Sequence, residues 1–178
     1  MKKFVQVLVT RDDHILLGRW CSGPLKSRIS GCIGEIEDEN ISRGTVDMVK
    51  KLTGLQLPKD SLQHRALFHF VEIGQVDDAM TQTFGRRYAE NQYFVDGNEL
   101  PKNVFEDLRR SDASFLPSWY PLDGIPYDEM PEDDRIWYPR FLSGEKLTGE
   151  FVFNGPILVE HTLETMQDED ESSDRRVI

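Results

Sequence analysis

Cysteine, long apolar runs and positive charge are all scarce in this sequence of 178 residues. Its two cysteines, Cys21 and Cys32, lack the CxxC spacing of zinc sites and are too few for a disulfide framework, so ordinary thiols in a reducing compartment are expected. No run approaches the roughly 18 apolar residues that a membrane span requires. A net charge of -11 disfavours nonspecific binding to nucleic acid or to anionic membranes. The sequence therefore predicts a soluble intracellular protein, cytoplasmic or nuclear, that does not bind membranes.

What the chain does contain is enough apolar surface for one core. With 38% hydrophobic residues over this length, a single compact domain is expected rather than two. Apolar content falls from His161 onward, and the stretch QDEDESSDRR is strongly acidic. We therefore expect a domain over residues 1–166 and a disordered acidic tail over 167–178.

The first third of the chain has the pattern of a β-hairpin followed by one helix. KFVQVLVT and HILLG are strand-like and flank the polar break RDD, whereas GRWCSGPLKSRISG is typical of a loop before the short strand CIGEI. Asn40 is a candidate N-cap, apolar residues then recur at helical spacing, and Gly54 is a stop signal. One amphipathic helix is therefore predicted between Asn40 and Gly54.

The remainder of the chain is mainly strand-like. HRALFHFVEI, ENQYFVDG and WYPLDGIP have strand patterns, and GEFVFNGPILVEHTLE predicts two strands around an Asn-Gly turn. DDRIWYPRFLSG is the second helical segment. These elements indicate an α+β protein rich in strands.

The segment LDGIPYDEMPEDDRIWYPRFLSGEKLTGEFVFNG carries the most specific resemblance to a known family. The chain resembles Nudix proteins, and most closely the eukaryotic MutT homologues, the oxidised purine nucleoside triphosphate diphosphatases. The similarity extends from about Phe4 to Thr165, with a departure, interpreted as an insertion, over about 84–112. It implies a mixed β-sheet sandwich flanked by helices in a single domain, and a purine nucleotide as ligand.

The resemblance also identifies the helix that should carry the catalytic chemistry. The Nudix signature places glutamates on one helical face, where they hold a divalent ion, usually Mg²⁺, against a diphosphate and activate water. Counting back from Gly54, the three helical glutamate positions are occupied by Met48, Lys51 and Leu52, and the arginine position by Asp47. No catalytic residue is therefore expected on this helix.

The loop before the helix leaves a second possibility open. The signature's earlier glutamate falls on Glu39, but its opening glycine falls on Ile33, so the loop after Gly34 is one residue short. Glu35, Glu39 and Asp47 are candidate ligands for a weak, rebuilt metal site. The alternative, which we favour, is that these acids are hydrated and complement the positive end of the helix dipole.

The region expected to recognise the base is better preserved. Two adjacent aspartates read the purine edge in the resembled branch, one of them protonated so that it donates a hydrogen bond; here they match Asp133 and Asp134. The alternative is that this pair merely caps a helix. Pro131 replaces the stacking tryptophan, Ser30 replaces an asparagine that reads the base, and Phe68 matches an aromatic residue of the pocket.

Three functions follow from these observations. The first, which we favour, is a catalytically impaired pseudoenzyme, a nucleotide-binding or scaffold protein on a Nudix fold. The second is an active hydrolase that cleaves a purine nucleoside di- or triphosphate, either oxidised or unmodified, with a rebuilt Mg²⁺ site. The third is a protein-interaction module with a vestigial pocket, whose partner binds the 84–112 segment or the acidic tail.

Overall fold

The computed structural model describes residues 3–74 and 86–167, and these residues form one mixed sheet with two α-helices. Short 3₁₀ turns connect several of its elements. The strands are β1 (Lys3–Arg11), β2 (His14–Trp20), β3 (Ile29–Ser30), β4 (Cys32–Ile36), β5 (Gln63–Ile73), β6 (Arg86–Asp96), β7 (Phe115–Pro121), β8 (Leu147–Asn154) and β9 (Ile157–Thr165); the helices are α1 (Ile41–Thr53) and α2 (Asp134–Leu142).

Strand β1 lies at the centre of the sheet. Its carboxyl end pairs antiparallel with β2, its amino end pairs antiparallel with β4, and its other edge pairs in parallel with β6. The sheet continues through β5, β8 and β9, and β7 pairs with β2. The expected hairpins form at both ends of the chain. Asp12 and Asp13 turn between β1 and β2 with positive φ, as a two-residue hairpin turn requires, and β8 turns into β9 at Gly155.

The alternation of side chains along β1 divides the core into two layers. Val5, Val7 and Val9 pack on the side of α1, whereas Leu8 packs on the side of α2. Gln6 points to the same side as Leu8, because its side chain accepts a hydrogen bond from Tyr138 of α2. The two faces of one sheet therefore carry separate hydrophobic clusters, one under each helix.

Helix α1 begins and ends as the sequence predicts. The Asn40 side chain accepts a hydrogen bond from the backbone N–H of Arg43, and Gly54 adopts the left-handed conformation with φ +79° while its N–H bonds to the carbonyl of Lys50. Three residues spaced along one face of the helix are buried against the sheet: Met48, Val49 and Leu52. The amphipathic pattern thus fixes which side of α1 meets the sheet.

Helix α2 covers the other face with large aromatic residues. Trp137, Tyr138 and Phe141 are fully buried, and Trp137 packs edge-on against both neighbours. The helix begins at Asp134, which is one residue later than the start of the predicted segment. The interior on this side is therefore built from rings, which leave a rigid wall beside the first turn of α2.

The expected fold class is confirmed: an α+β fold with a mixed sheet and helices, in a single domain. One local expectation is wrong, because the segment predicted as a loop around Trp20 contains the end of β2 and all of β3. Pairing with β7 over seven residues extends β2 to Trp20, a long-range contact that the local sequence does not reveal. Neither α1 nor α2 is long and apolar enough to cross a membrane, nor is any other helix among the described residues.

Candidate functional site

A cavity of about 610 Å³ opens between the sheet and the first turn of α2. We call it the α2 cavity. Its floor is formed by β1, β5 and β6, and its rim by the loop after β2 and the turn between β8 and β9. Its lining combines aromatic rings with buried polar groups and two arginines: Phe4, Trp20, Phe70, Tyr88 and Phe153; Gln6, Ser30, Glu90, Asp133 and Asp134; Arg28 and Arg86.

The two adjacent aspartates lie together in the α2 cavity, at the start of α2. Asp133 is 4% and Asp134 3% exposed, which is unusual for carboxyl groups. The indole Nε1 of Trp137 donates a hydrogen bond of 2.9 Å to Oδ2 of Asp133. Oδ2 of Asp134 is buried and has no hydrogen-bond partner in the part of the chain that the structure describes. An unsatisfied buried oxygen costs stability, so this atom marks a place where a ligand would supply the missing bond.

The environment of this pair gives the two carboxyl groups different pKa values. Burial raises the pKa of Asp133 to about 6, while the Trp137 hydrogen bond opposes that rise. Burial and the charges of Asp133 and Glu90 raise the pKa of Asp134 well above its ordinary value. Of the two carboxyls, Asp134 therefore keeps its proton more readily and is the hydrogen-bond donor of the pair, whereas Asp133 is the acceptor. Such a pair matches a ring edge with one acceptor and one donor.

Ser30 also lies in the α2 cavity, but its hydroxyl is already engaged. It accepts a hydrogen bond of 2.8 Å from the indole nitrogen of Trp20 and donates one of 2.8 Å to the carbonyl of Gly31. Pro131 lines the same cavity. Ser30 and Pro131, which the sequence matches to the base-reading asparagine and the stacking tryptophan of the resembled branch, therefore both line the α2 cavity. They offer a ligand different chemistry from an amide and an indole.

Phe68, matched above to a pocket aromatic, is instead a core residue. It is fully buried and packs against Trp137 and Phe151, and it is not among the described residues that line the α2 cavity. Phe70, two residues further along the same strand, lines the cavity and stacks on Tyr88 at 5.4 Å. Both rings point to the same face of β5, and only the depth under α2 distinguishes them.

The α1 face that carries the metal-binding glutamates of the signature is hydrophobic core in this chain. Met48 is 9% and Leu52 5% exposed, and both belong to the apolar cluster on this side of the sheet. A Cβ atom on Gly34 would lie 2.9 Å from Cγ of Met48, so the thioether chain fills the space beneath β4. Lys51 and Asp47 are exposed. These four residues do not fit a magnesium ion, which requires several oxygen ligands.

β4 and the acidic loop before α1 hold the remaining candidate metal ligands, and one of them, Glu35, lines the α2 cavity. The carboxylate of Asp38 binds the guanidinium of Arg43 through two hydrogen bonds of 2.6 and 2.9 Å, which lowers the pKa of that carboxyl. Glu35, Glu37 and Glu39 are exposed. Across residues 3–74 and 86–167, no three His, Cys, Asp or Glu side chains are grouped closely enough to hold a metal ion.

The segment 84–112, which the sequence comparison interpreted as an insertion, contains a central strand of the sheet and a 3₁₀ helix. Its first described portion, Arg86–Asp96, is β6, which pairs with both β1 and β5 in the middle of the sheet. The 3₁₀ helix Lys102–Asp107 follows and buries Phe105 in the α1-side core. The portion after β6 thus contributes to the core, and no long interaction helix forms there. The acidic tail lies outside the described residues from Asp168 onward.

Three buried polar residues at the α2 cavity were not identified from the sequence; Gln6 and Glu90 line the cavity, and Gln92 lies beside them. Gln6, Glu90 and Gln92 are buried and hydrogen-bonded to one another. Burial raises the pKa of Glu90 to about 7. The sequence contained a signal, because the polar triplet ENQ interrupts a strand that otherwise carries aromatic and apolar residues at its buried positions.

Comparison with known proteins identifies the family. The chain is 38% identical over 169 residues to the oxidized purine nucleoside triphosphate hydrolase of Danio rerio, covering 94% of this chain and 97% of that protein. It is 26% identical over 151 residues to the Mus musculus protein of the same name, covering 84% and 85%. The MutT protein of Bacillus halodurans has the same fold, with a TM-score of 0.72, 15% identity, and 92% and 98% coverage. No family model matches the sequence. The chain therefore belongs to the Nudix family, in the MutT-homologue branch whose relatives are oxidised purine nucleoside triphosphate hydrolases.

Proposed function

We propose that this chain is a nucleotide-binding pseudoenzyme, which holds a purine nucleotide in the α2 cavity and lacks the metal-dependent hydrolysis of its relatives. One observation carries the proposal: Met48 and Leu52, at two positions of the signature's helical glutamates, are packed in the hydrophobic core. A carboxylate that holds a metal must reach solvent and substrate, and these side chains face the sheet. Removing ligands of a catalytic metal costs orders of magnitude in rate.

The opposite side of the sheet supports the binding half of the proposal. Asp133 and Asp134 present an acceptor and a donor, and Oδ2 of Asp134, which has no hydrogen-bond partner among residues 3–74 and 86–167, is available to a ligand. The relatives in zebrafish and mouse act on oxidised purine nucleoside triphosphates by name, which makes a purine nucleotide the first ligand class to test. Aromatic rings in the lining give the base a surface for stacking.

Phosphate recognition without a metal ion requires positive charge near the cavity. Arg28 and Arg86 are both part of the lining, and the Arg86 guanidinium lies 5.4 Å from the ring centre of Phe4 and 5.1 Å from that of Tyr88. Guanidinium groups bind phosphate through paired N–H donors. We assign to these arginines the attraction that a divalent ion provides in an active Nudix enzyme.

An assay of phosphate and pyrophosphate release tests the catalytic half. Normal and oxidised purine nucleoside triphosphates are incubated with the protein and Mg²⁺ or Mn²⁺, and we expect no release above background. Turnover that disappears in Asp47→Ala or Glu39→Ala would overturn the proposal and establish a rebuilt metal site.

Calorimetric titration of the same nucleotides, without metal, tests the binding half. We expect binding by the wild-type protein and a loss of about 10- to 100-fold in Asp133→Asn, since a hydrogen bond to a charged group contributes about 1.5–3 kcal/mol. Asp134→Asn should bind nearly as well as the wild type, because its amide can donate as the protonated carboxyl does. Asp60→Asn, an exposed aspartate remote from the α2 cavity, is the matched control. Absence of binding to every nucleotide would contradict the proposal.

A further inference from the structure

Three buried polar side chains on β1 and β6 form a hydrogen-bonded group at the α2 cavity, in which Gln6 and Glu90 line the cavity and Gln92 supports them. The strands run in parallel, with Phe4 opposite Glu90 and Gln6 opposite Gln92. Glu90 is 3% exposed, and the two glutamines are equally buried. Polar groups in such a place are costly unless they are hydrogen-bonded, so the arrangement of their bonds determines what the floor can offer to a ligand.

The hydrogen bonds of this group converge on one atom. Nε2 of Gln6 donates to Oε1 of Glu90 at 3.3 Å and to Oε1 of Gln92 at 3.1 Å, and Nε2 of Gln92 donates to the same Glu90 oxygen at 2.7 Å. Tyr138 donates its hydroxyl to Oε1 of Gln6 at 3.2 Å, which fixes the orientation of that amide. Glu90 is therefore held rigidly as the final acceptor of the network.

The Glu90 carboxyl lines the α2 cavity from the sheet, whereas Asp133 and Asp134 reach it from the start of α2. Phe70 and Tyr88 stack on each other beside it. Because Glu90 lines the cavity from the sheet and the aspartates line it from α2, a flat ring placed between them can present one edge to the aspartate pair and another to Glu90. With Asp133 accepting at one edge and Glu90 at another, the cavity suits a ring that carries N–H donors on two of its edges.

We propose that Glu90 is a specificity-determining residue that accepts a hydrogen bond from the N7–H group of a purine oxidised at C8, and thereby disfavours the unoxidised ring. The proposal rests on the proposed function and extends it to a choice between ligands. Oxidation at C8 converts N7 from an acceptor to an N–H donor. An acceptor facing a carboxylate leaves both groups unpaired and repelling, which is how sites reject a ligand that lacks the matching donor.

Calorimetric titration with two monophosphates tests the choice directly. Guanosine monophosphate and its 8-oxo derivative are compared at pH 8, above the pKa of about 7 that burial gives Glu90. We expect the wild-type protein to bind the oxidised ring at least about tenfold more tightly, as one charged hydrogen bond allows.

Glu90→Gln should reverse this preference rather than only reduce it. Both glutamines donate to the position of Oε1, so the new amide oxygen takes that place and its NH₂ group faces the remaining position. That NH₂ donates to N7 of the unoxidised ring and meets a donor on the oxidised ring. Glu99→Gln changes an exposed carboxyl that is not among the described residues lining the cavity, and as the control it should leave the ratio unchanged.

A second measurement changes the ligand and keeps the wild-type protein, so its result does not depend on whether a variant folds. 7-Deazaguanosine monophosphate has C–H in place of N7, and the wild-type protein should bind it more tightly than guanosine monophosphate and more weakly than the oxidised form. An unchanged ratio in Glu90→Gln, or a deaza ring bound no better than the unoxidised one, would overturn the role of Glu90 alone. Failure of the wild-type protein to bind any of the rings would instead overturn the proposed function.

Discussion

The two faces of the sheet bury polar groups in different ways. On the α1 side the buried hydroxyls of Thr45 and Thr53 donate to carbonyls one turn earlier in their own helix, so they require nothing from elsewhere. On the α2 side the buried carboxyl of Glu90 and amide of Gln6 depend on partners from other elements, and one oxygen of Asp134 has no partner among the described residues. The α1 side thus has the character of a finished core, and the α2 side that of a site that awaits a ligand.

The largest effect should come from placing a signature glutamate back on the α1 side. Leu52→Glu should lower the free energy of unfolding by about 3–5 kcal/mol, because it buries a carboxylate without a partner in an apolar cluster. Lys51→Glu, at the adjacent exposed signature position, is the matched control and should change it by about 0.5 kcal/mol. Denaturant unfolding measures both. Wild-type stability in Leu52→Glu, or a rise in Tm on adding Mg²⁺, would show that this face opens to solvent and metal.

The next effect concerns the pH dependence that Glu90 imposes on the α2 side. Its pKa rises from 4.5 to about 7 on folding, so the folded state retains a proton that the unfolded state loses as pH rises through 4.5. Stability therefore falls between pH 4.5 and 7, by on the order of 3 kcal/mol for a shift of this size. Glu90→Gln should remove that decline.

Urea unfolding of wild-type protein and Glu90→Gln at pH 4.5, 6 and 8 measures this difference. We expect the variant to be the more stable of the two at pH 8, with the gap closing toward pH 4.5. Glu72→Gln, which changes an exposed carboxyl, should follow the wild-type curve. Parallel curves for Glu90→Gln and wild type would mean that the buried carboxyl does not hold its proton.

A smaller effect should follow from removing the donor to the aspartate pair. Trp137→Phe deletes the N–H group that bonds Oδ2 of Asp133, at a cost of about 1.5–3 kcal/mol at neutral pH. Loss of that donor should also raise the pKa of Asp133 above about 6, because the bond favours the charged form. The pH profile of nucleotide binding measures the shift. Trp119→Phe, on the α1 side, should leave the profile unchanged.

The smallest effect is expected at Ser30. Ser30→Ala leaves the indole N–H of Trp20 without its acceptor, which should cost about 1 kcal/mol in thermal or denaturant unfolding. Ser22→Ala, an exposed serine in the same lining, should cost less. Equal losses in the two variants would show that the Trp20 indole finds another partner.

Local signals in the sequence predicted much of this fold. The caps at Asn40 and Gly54 fix α1, and the alternating pattern gives the strands their faces. The depth at which a side chain is buried could not be predicted in the same way. Phe68 and Phe70 have the same sequence pattern, and only the structure shows that Phe68 packs under α2 whereas Phe70 lines the α2 cavity. The acceptor role of Glu90 was also hidden, because it depends on parallel pairing between strands more than 80 residues apart.

The packing of Met48 under Gly34 also constrains how this chain can change over time. A glutamate at Met48 or Leu52 places an unpaired charge in the core unless the other ligands are already there to hold a metal. A glutamate at the exposed Lys51 meets no such cost. Single substitutions toward the signature therefore differ in their effect on stability, and the two buried positions could gain glutamates at little cost only together with a complete set of metal ligands.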